Sequence, residues 1–360
     1  MTILAYYDLT AAEQAHWREA ISASDWRGGQ NLYRLLAEDE LRTPEWIGEG
    51  AQLFLLTEGE RQCGFCTLAG NDDVPDTPLK PWVGFVYTFP EWRGGHNFGT
   101  LLAHVVERAR TEGHTAVYVS TDHIGLYEHY GFVFREQAKD LWGGDTRVYE
   151  LDFGWMLADE TERQQGLPAR AKAERILEAS NLMNPGPWRE HSYCVALAAE
   201  RIARACGDID PECAYLSGLL HDIGRRFGHG HLRHVYDGWK FMERLGYPAA
   251  GRICLTHSFK RQFLEDYVGN HDLTPAEEQE TVEAMTACRY GDMDRLIQLC
   301  DSICGATVVD IEERMLDVKR RYGGFYPQDK WDANIALLHD FERRTGGDIY
   351  RIARGEKGAS

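Results

Sequence analysis

The sequence has no apolar stretch long enough to cross a bilayer and no excess of basic residues. Apolar runs such as Leu53–Leu56 fall far short of the roughly 18 residues that a spanning helix needs. With 39 basic against 57 acidic residues, the net charge of −18 disfavours binding to nucleic-acid backbones or anionic membranes. Residues Met1–Thr10 lack the basic and apolar regions of a signal peptide, so we expect a cytoplasmic protein.

The cysteines show no disulfide or zinc pattern. There are nine, an odd number, and they are scattered along the chain. Cys63 and Cys66 form a lone C-x-x-C, whereas a structural zinc ion needs four ligands. The cysteine pattern therefore predicts reduced thiols, several of them in the core.

Length and composition favour two ordinary globular domains. At roughly 100–200 residues per domain, 360 residues predict two, and 43% hydrophobic with 27% charged residues is typical of folded proteins. We predict an α/β domain with a mixed sheet over residues 1–153 and a linker over 154–167. An all-α domain with a C-terminal helical extension is predicted over 168–360.

The pattern of apolar residues predicts the elements of each domain. Strands are expected at Ala51–Thr57, Gly64–Ala69, Trp82–Phe89, Ala116–Ser120 and Arg147–Phe153. Helices of the first domain are expected at Thr10–Ile21, Phe98–Arg110 and Gly125–Tyr130. Those of the second are expected at Ala169–Ala179, Trp188–Ala205, Pro211–Ile223, His234–Leu245, Pro248–His257, Asp292–Cys304, Thr307–Lys319 and Trp331–Arg343.

A glycine-rich turn joins the third predicted strand to an amphipathic helix. The turn reads Arg-Gly-Gly-His-Asn-Phe-Gly over residues 93–99. Glycines let the backbone approach a ligand closely, and the free N–H groups at a helix start suit a phosphate or pyrophosphate. The turn is therefore a candidate phosphate-binding loop.

A second motif follows the next predicted strand. Residues 125–132 read Gly-Leu-Tyr-Glu-His-Tyr-Gly-Phe, and together with the turn they make most of residues 1–153 resemble the GNAT family of acetyl-CoA-dependent N-acyltransferases. The resemblance implies that Tyr127 is the general acid that protonates the departing CoA thiolate, a role that suits a phenol. It implies that acetyl-CoA is bound by Arg93, Gly94, Gly95, His96, Asn97, Phe98, Gly99 and Thr100.

The turn departs from the family's usual Arg/Gln-x-x-Gly-x-Gly/Ala pattern, because His96 and Phe98 hold two of its positions. A non-catalytic module that binds or senses CoA is therefore the alternative for this domain. The base that would activate the amine stays open among Glu45, Asp72, Asp73, Asp122, His123 and a water molecule.

In the second half, histidines and aspartates occur within apolar helical segments. His221-Asp222 follows the apolar segment Ala214–Leu220, and Asp301 follows Leu299-Cys300. Buried ionisable groups are costly unless they are paired or bind metal. Mixed imidazole and carboxylate donors favour Fe, Mn, Co, Ni or Zn over Ca or Mg.

The order His, His-Asp, His, His and a late Asp resembles the HD superfamily of metal-dependent phosphohydrolases, in its HDIG-type form, over about residues 169–310. The resemblance implies two metal ions, with Asp222 bridging and catalytic, and hydrolysis of a small phosphate ester or nucleotide. The implied ligands are His191, His221, Asp222, His234, His257 and Asp301. Candidate substrate-binding cations nearby are Arg225, Arg233 and Lys260.

The same donor set also resembles HD-fold di-iron oxygenases, which remain the alternative for the second domain. We expect small-molecule substrates as partners, neither nucleic acid nor membrane, and leave a homo-oligomer open.

Overall fold

The computed structural model describes residues 1–43, 46–48, 50–323 and 326–356. They divide into two compact units. The first contains Met1–Trp155 with the short segments Leu182–Asn184 and Arg226–His229, and the second contains the remaining described residues. The expected fold class, an α/β part with a mixed sheet followed by an all-α part, is confirmed.

The first unit is built on a seven-stranded sheet with the order β1-β2-β3-β4-β5-β7-β6. All neighbours are antiparallel except β4 and β5, which run parallel and are paired only at Trp82 and Tyr118. No other pair of residues joins these two strands in the described part of the chain. The strands are β1 (Thr2–Ala5), β2 (Gln52–Glu58), β3 (Arg61–Ala69), β4 (Trp82–Thr88), β5 (Ala116–Thr121), β6 (Val133–Lys139) and β7 (Asp145–Asp152).

Three helices accompany this sheet: α1 (Ala11–Ser22), α2 (Arg27–Ala37) and α3 (Asn97–Thr111). Thr10 and Glu13 form a capping box at the start of α1, in which each side chain satisfies a free backbone N–H of the other. Apolar residues at helical spacing, Leu101, Leu102 and Val105, are fully buried and hold α3 on the sheet. This packing fixes where the glycine-rich turn enters the helix.

The regular secondary structure of the second unit, within the described residues, consists of helices, short 3-10 turns and an isolated bridge between Cys304 and Val308. Proline occupies the first position of α7, α9 and α10, where its missing N–H would have no helical partner. The helices are α4 (Glu160–Gln165), α5 (Arg170–Met183), α6 (Trp188–Cys206), α7 (Pro211–Leu220), α8 (Arg233–Leu245), α9 (Pro248–Thr256), α10 (Pro275–Ala287), α11 (Asp292–Ile303), α12 (Ile311–Arg321), α13 (Gln328–Thr345) and α14 (Ile349–Arg354).

The core of the second unit lies between α6 and α11. Val195 and Ile202 of α6 pack with Leu296, Leu299 and Ile303 of α11, all fully buried. These residues recur every three or four positions, so each helix turns one apolar face inward. The same two helices carry His191 and Asp301, which places these polar groups at the edge of a rigid apolar core.

Several expectations need correction. The helix predicted at Gly125–Tyr130 is wrong, because only a 3-10 turn forms over Glu128–Tyr130. Gly125 and Gly131 both have positive φ, so the chain bends at each side of that turn. Strands β1 and β6 and helices α2, α4, α10 and α14 were not expected, and α4 lies inside the proposed linker.

Two simpler findings concern cysteines and membranes. Every one of the nine cysteines is free. None of the helices in the described ranges combines the length and the apolar character that crossing a bilayer requires.

Candidate functional site

The six predicted metal-ligating residues of the second unit come together in two groups. Within each group the donor atoms all lie within 4.8 Å of one another. The residues come from five parts of the helical unit: α6, the end of α7, α8, the end of α9, and α11. The first group is His191, His221 and Asp301; the second is Asp222, His234 and His257.

Two glycines allow the contributing helices to approach. A Cβ on Gly218 would lie 2.9 Å from the Cα of Ala196, so this glycine brings α7 against α6. A Cβ on Gly224 would lie 2.0 Å from the carbonyl oxygen of His234, which brings the segment after Asp222 against α8. Close backbone approach is thus the physical reason for the glycine of the His-Asp-Ile-Gly motif.

Backbone carbonyls fix the orientation of three imidazole rings. Nδ1 of His221 donates to the carbonyl of Gly218 at 2.7 Å, and Nδ1 of His257 donates to that of Cys254 at 2.8 Å. Nδ1 of His234 donates in the same way to the carbonyl of His231. Because a carbonyl oxygen only accepts, each Nδ1 carries a proton, and Nε2 is the ring nitrogen left to bind a cation.

The Nε2 atoms of these rings lie close to one another and to aspartate oxygens. In the second group, Nε2 of His234 lies 3.4 Å from Nε2 of His257 and 3.1 Å from Oδ1 of Asp222. No donor in the described part of the chain reaches that buried Oδ1. Burial lowers the pKa of His257 to about 3, so its ring is neutral at pH 7. Two imidazole nitrogens and a carboxylate oxygen this close together fit a bound cation, and these nitrogen and oxygen ligands suit a transition metal.

The first group also brings two imidazole nitrogens close to a carboxylate oxygen. Nε2 of His191 lies 3.2 Å from Nε2 of His221 and 3.1 Å from Oδ1 of Asp301. Burial also lowers the pKa of His221. Burial alone would raise the pKa of Asp301, but the neighbouring histidines, His191 first, hold it well below its usual range. The group therefore offers one carboxylate and two imidazoles to a cation.

Asp222 connects the two groups. Its Oδ1 faces His234, while its Oδ2 lies 4.0 Å from Nε2 of His221. Burial would raise the pKa of Asp222, but Arg225 and then His234 hold it well below its usual range. An ionised carboxylate with one oxygen toward each group is the arrangement that a bridging ligand requires.

The three predicted substrate-binding cations lie in different surroundings. Nε of Arg225 donates to Oδ2 of Asp222 at 2.5 Å, and about a third of its side chain is exposed. Arg233 is held by Glu277, through a 2.9 Å ion pair, and by Asp272. Lys260 is buried within electrostatic range of Asp301. Substrate binding by these three residues stays a prediction.

One buried cation near this site was missed by the sequence reasoning. Lys330 lies in α13, and its Nζ donates to the carbonyl of Asp266. Burial, and then the charge of Lys260, lower the pKa of Lys330 to about 7. In the sequence it stands between Asp329 and Trp331 on an amphipathic helix, where a lysine gives no sign that it is buried.

In the first unit, the predicted turn is divided between exposed and buried residues. His96 adopts a left-handed conformation, and α3 begins at Asn97, whose side chain donates to the carbonyl of Trp92 at 2.6 Å. Arg93, Gly94 and Gly95 are exposed, whereas the residues from Asn97 to Thr100 are buried. Met183, which belongs to the same unit, lies so close that a Cβ on Gly99 would be 1.9 Å from its carbonyl oxygen.

Tyr127 is buried among aromatic rings beneath this turn. Its ring packs edge-on against Phe98 and Phe132, with centroids 5.6 Å and 5.5 Å away. Burial, and then the charge of Asp72, raise the pKa of Tyr127, so the phenol stays protonated at neutral pH. A protonated phenol can donate to a developing thiolate.

Among the candidate bases, Asp72 is the carboxyl group with the most altered environment. Burial, and then the charge of Asp73, raise the pKa of Asp72 to about 8. A Cβ on Gly84 of β4 would lie 3.0 Å from Oδ2 of Asp72, so the carboxyl group of Asp72 lies against β4. Asp122 and His123 are exposed, and Glu45 lies outside the described residues.

Comparisons with protein families assign each part. Residues 18–132 match the family model for the Acetyltransferase (GNAT) family, and residues 188–295 match that for the HD domain. The chain therefore combines a GNAT acetyltransferase domain with an HD domain. The HD match includes five of the six grouped residues and ends before Asp301.

Solved structures similar to this chain are GNAT proteins. A GNAT-family protein from Desulfovibrio desulfuricans is 17% identical, covers 42% of this chain and 99% of its own, and has a TM-score of 0.34. The ribosomal-protein-alanine N-acetyltransferase of Brucella melitensis is 16% identical over 42% and 99% of the chains, with a TM-score of 0.30. The yncA protein of Salmonella typhimurium, solved with acetyl-CoA, is 14% identical over 42% and 95%, with a TM-score of 0.29. No curated protein matches the chain.

Proposed function

We propose that the HD domain is a phosphohydrolase that holds two divalent transition-metal ions and acts on a small phosphate ester or nucleotide. The observation that carries the proposal is the buried group of Asp222, His234 and His257, whose ligand atoms all lie within 4.8 Å of one another. His191, His221 and Asp301 would hold the first ion, and Asp222 would bridge to the second. Iron, manganese, cobalt, nickel or zinc all suit these donors.

The side chains of the site contribute to hydrolysis through position and charge. Bound metal ions supply an activated hydroxide at neutral pH and polarise a phosphoryl oxygen. The carbonyls of Gly218 and Cys254 hold the rings of His221 and His257, so their Nε2 atoms need no reorientation during the reaction. Asp222 stays ionised, and Arg225 and Lys260 add positive charge that favours a phosphate. Hydrolysis forms a bond from the oxygen of water to phosphorus and breaks the ester P–O bond, and the leaving oxygen takes up the proton that the water has lost.

The test measures phosphate release by the full-length, metal-loaded protein from p-nitrophenyl phosphate and from a panel of nucleotides. We expect activity that is lost in His221→Ala and retained in His271→Ala, a matched histidine that pairs with Glu278 near the surface. Activity that persists in His221→Ala would overturn the proposal. Iron in the protein, with oxygen uptake on an organic substrate and no phosphate release, would instead establish the oxygenase.

For the GNAT domain we infer transfer of an acetyl group from acetyl-CoA to an amine. The supporting observation is Tyr127, protonated and buried next to the turn. The amine nitrogen forms a bond to the acetyl carbon and gives up a proton to a base or a water molecule. The C–S bond breaks, and Tyr127 donates its proton to the departing thiolate and is reprotonated from solvent. Arg93, Gly94 and Gly95 remain exposed for the pyrophosphate.

The corresponding test follows free thiol release from acetyl-CoA with a panel of primary amines. Transfer that depends on Tyr127 supports the proposal. Saturable binding of acetyl-CoA without transfer to any amine would overturn it and favour the non-catalytic CoA-binding module.

A further inference from the structure

Helix α8, which carries His234, begins without a side-chain cap of its own. The residue at its N-cap position is Leu232, whose side chain has no atom that can accept a hydrogen bond. The first N–H groups of a helix have no partner within the helix. The start of α8 therefore leaves room for an acceptor from another segment of the chain.

Asp272 supplies that acceptor from a position 39 residues beyond Arg233. Its Oδ1 accepts from the N–H of Arg233 at 2.7 Å, and its Oδ2 accepts from the N–H of His231 at 2.7 Å. A carboxylate at the N-terminal end of a helix also interacts favourably with the helix dipole. One side chain thus holds both sides of the turn that leads into α8.

The segment that carries Asp272 is itself bound to α8 and its turn. Nε of Arg233 donates to the carbonyl of Asp272 at 3.2 Å, and Nη2 of Arg233 donates to Oε2 of Glu277 at 2.9 Å. The N–H of Leu232 donates to the carbonyl of Asn270 at 3.3 Å. Hydrogen bonds therefore run between the two segments in both directions, and they fix the carboxylate of Asp272 against the turn.

The turn that Asp272 holds contains the carbonyl that orients His234. The carbonyl of His231 accepts from Nδ1 of His234, and it lies in the chain between the two N–H groups that Asp272 binds. Nε2 of His234 lies 3.1 Å from Oδ1 of Asp222. A short path of hydrogen bonds thus leads from Asp272 to the second metal group.

The other two oriented rings are supported differently. His221 and His257 donate to the carbonyls of Gly218 and Cys254, which belong to α7 and α9. Those carbonyls are positioned by the helices that precede each histidine. His231 instead precedes α8, so the position of its carbonyl depends on the turn and on what holds the turn.

We propose that Asp272 is a positioning residue for the second metal group, which fixes the ring of His234 through the carbonyl of His231. This role rests on the metal centre of the proposed function and deepens it. Groups that hold a metal-binding histidine from behind set the orientation of its ring, and their loss weakens metal binding by about tenfold to a hundredfold.

The experiment titrates cobalt(II) into the full-length protein after removal of any bound metal, and follows binding by calorimetry and visible absorption. The wild type should bind two ions. Asp272→Ala should bind the first ion as the wild type does and the second about tenfold to a hundredfold more weakly. Asp272→Asn keeps one acceptor oxygen and should fall between the two, and it provides the measurement if the alanine variant does not fold.

Asp348→Ala is the matched control. Asp348 accepts from the N–H groups of Tyr350 and Arg351 at 2.8 Å and 3.1 Å, but it caps α14, which carries none of the six metal-ligating residues. Both alanine variants should lower the unfolding temperature, because each removes a helix cap, whereas only Asp272→Ala should weaken the second ion. Equal weakening of the second ion in both variants would indicate a general loss of stability and contradict the positioning role.

The positioning role and the proposed function can fail separately. Affinity for the second ion within about twofold of the wild type in Asp272→Ala would overturn the positioning role and leave the metal centre standing. Conversely, the expected weakening in Asp272→Ala, together with a wild type that releases no phosphate from p-nitrophenyl phosphate or the nucleotides, would overturn the proposed function and support the positioning role.

Discussion

The two domains place their functional groups in different ways. In the HD domain, six side chains on helices or just after helix ends converge, and three of the rings are oriented by backbone carbonyls. In the GNAT domain, the candidate acetyl-CoA site depends on backbone N–H groups of a turn, and Tyr127 is the buried side chain that we propose as the proton donor. Histidine and aspartate residues in a characteristic order indicate a metal site in the sequence. Backbone amides occur at every residue, so their availability depends on the fold.

The difference also concerns how much of each site is ready for a ligand. The donor atoms of each metal group already lie within 4.8 Å of one another. By contrast, the residues from Asn97 to Thr100 are buried, so only the earlier part of the turn is exposed. We therefore expect substitutions in the HD domain to have the larger effects, because a preorganised site loses most when one donor is removed.

The largest effect is expected from Asp222→Asn, which keeps the shape of the side chain but removes the bridging charge. Because metal ions contribute several kcal/mol to hydrolysis, phosphate release should fall by about a thousandfold or more. Acetyl transfer should be unchanged. Parallel assays of phosphate and thiol release test this, with Asp208→Asn at an exposed ion pair as the control. A hydrolytic rate close to wild type would remove Asp222 from the mechanism.

A smaller effect is expected from Tyr127→Phe in the other domain. Loss of the proton donor should slow acetyl transfer by about a hundredfold while hydrolysis continues. Tyr130→Phe is the matched control. Tyr130 is also buried and packs against Phe98, but it is not proposed as the proton donor. If both variants slowed transfer equally, the phenol of Tyr127 would have only a packing role.

Gly224→Ala tests whether helix approach builds the second metal group. Its Cβ would collide with the carbonyl of His234 and lie 2.5 Å from the backbone nitrogen of Gly238. We expect the free energy of unfolding to fall by about 1–3 kcal/mol. Denaturant unfolding and metal analysis should show this loss together with weaker binding of one ion.

The control for that variant is Gly305→Ala, where the nearest atom would be 3.9 Å away. It should unfold like the wild type. Gly224→Ala with an unchanged unfolding midpoint and two tightly held ions would show that the motif's glycine has another purpose.

The smallest effect concerns Asp72 and pH. Its pKa in the folded state, about 8, lies above the ordinary value of 3.8, so the folded state keeps a proton that the unfolded state releases. Stability of the GNAT domain should therefore fall as pH rises from about 4 to about 8. Asp72→Asn cannot titrate and should flatten this slope, so the unfolding temperature of the variant should change less between the two pH values than that of the wild type.

Thermal unfolding at pH 5 and pH 8 measures that change, with exposed Asp145→Asn as the control. A wild-type slope in Asp72→Asn would mean that Asp72 is ionised in the folded protein.

Sequence reasoning succeeded where chemistry or periodicity was concentrated. The apolar faces of α6 and α11 and the His-Asp pair predicted both the helices and the grouping of six donors. The helix predicted at Gly125–Tyr130 was too long. The pattern of apolar residues is helical, but Gly125 and Gly131 bend the chain, and only a 3-10 turn forms at Glu128–Tyr130. Lys330 could not be foreseen, since its burial depends on tertiary packing and not on its neighbours in the chain.

The central claim is that Asp222 joins two metal sites in one chain, and metal content tests it most directly. Elemental analysis of protein purified without chelator or affinity metal should find about two transition-metal ions per chain. His234→Ala should reduce this to about one, because it removes a donor of the second group only. A wild-type protein that contains no metal, and takes up none on titration, would contradict the account.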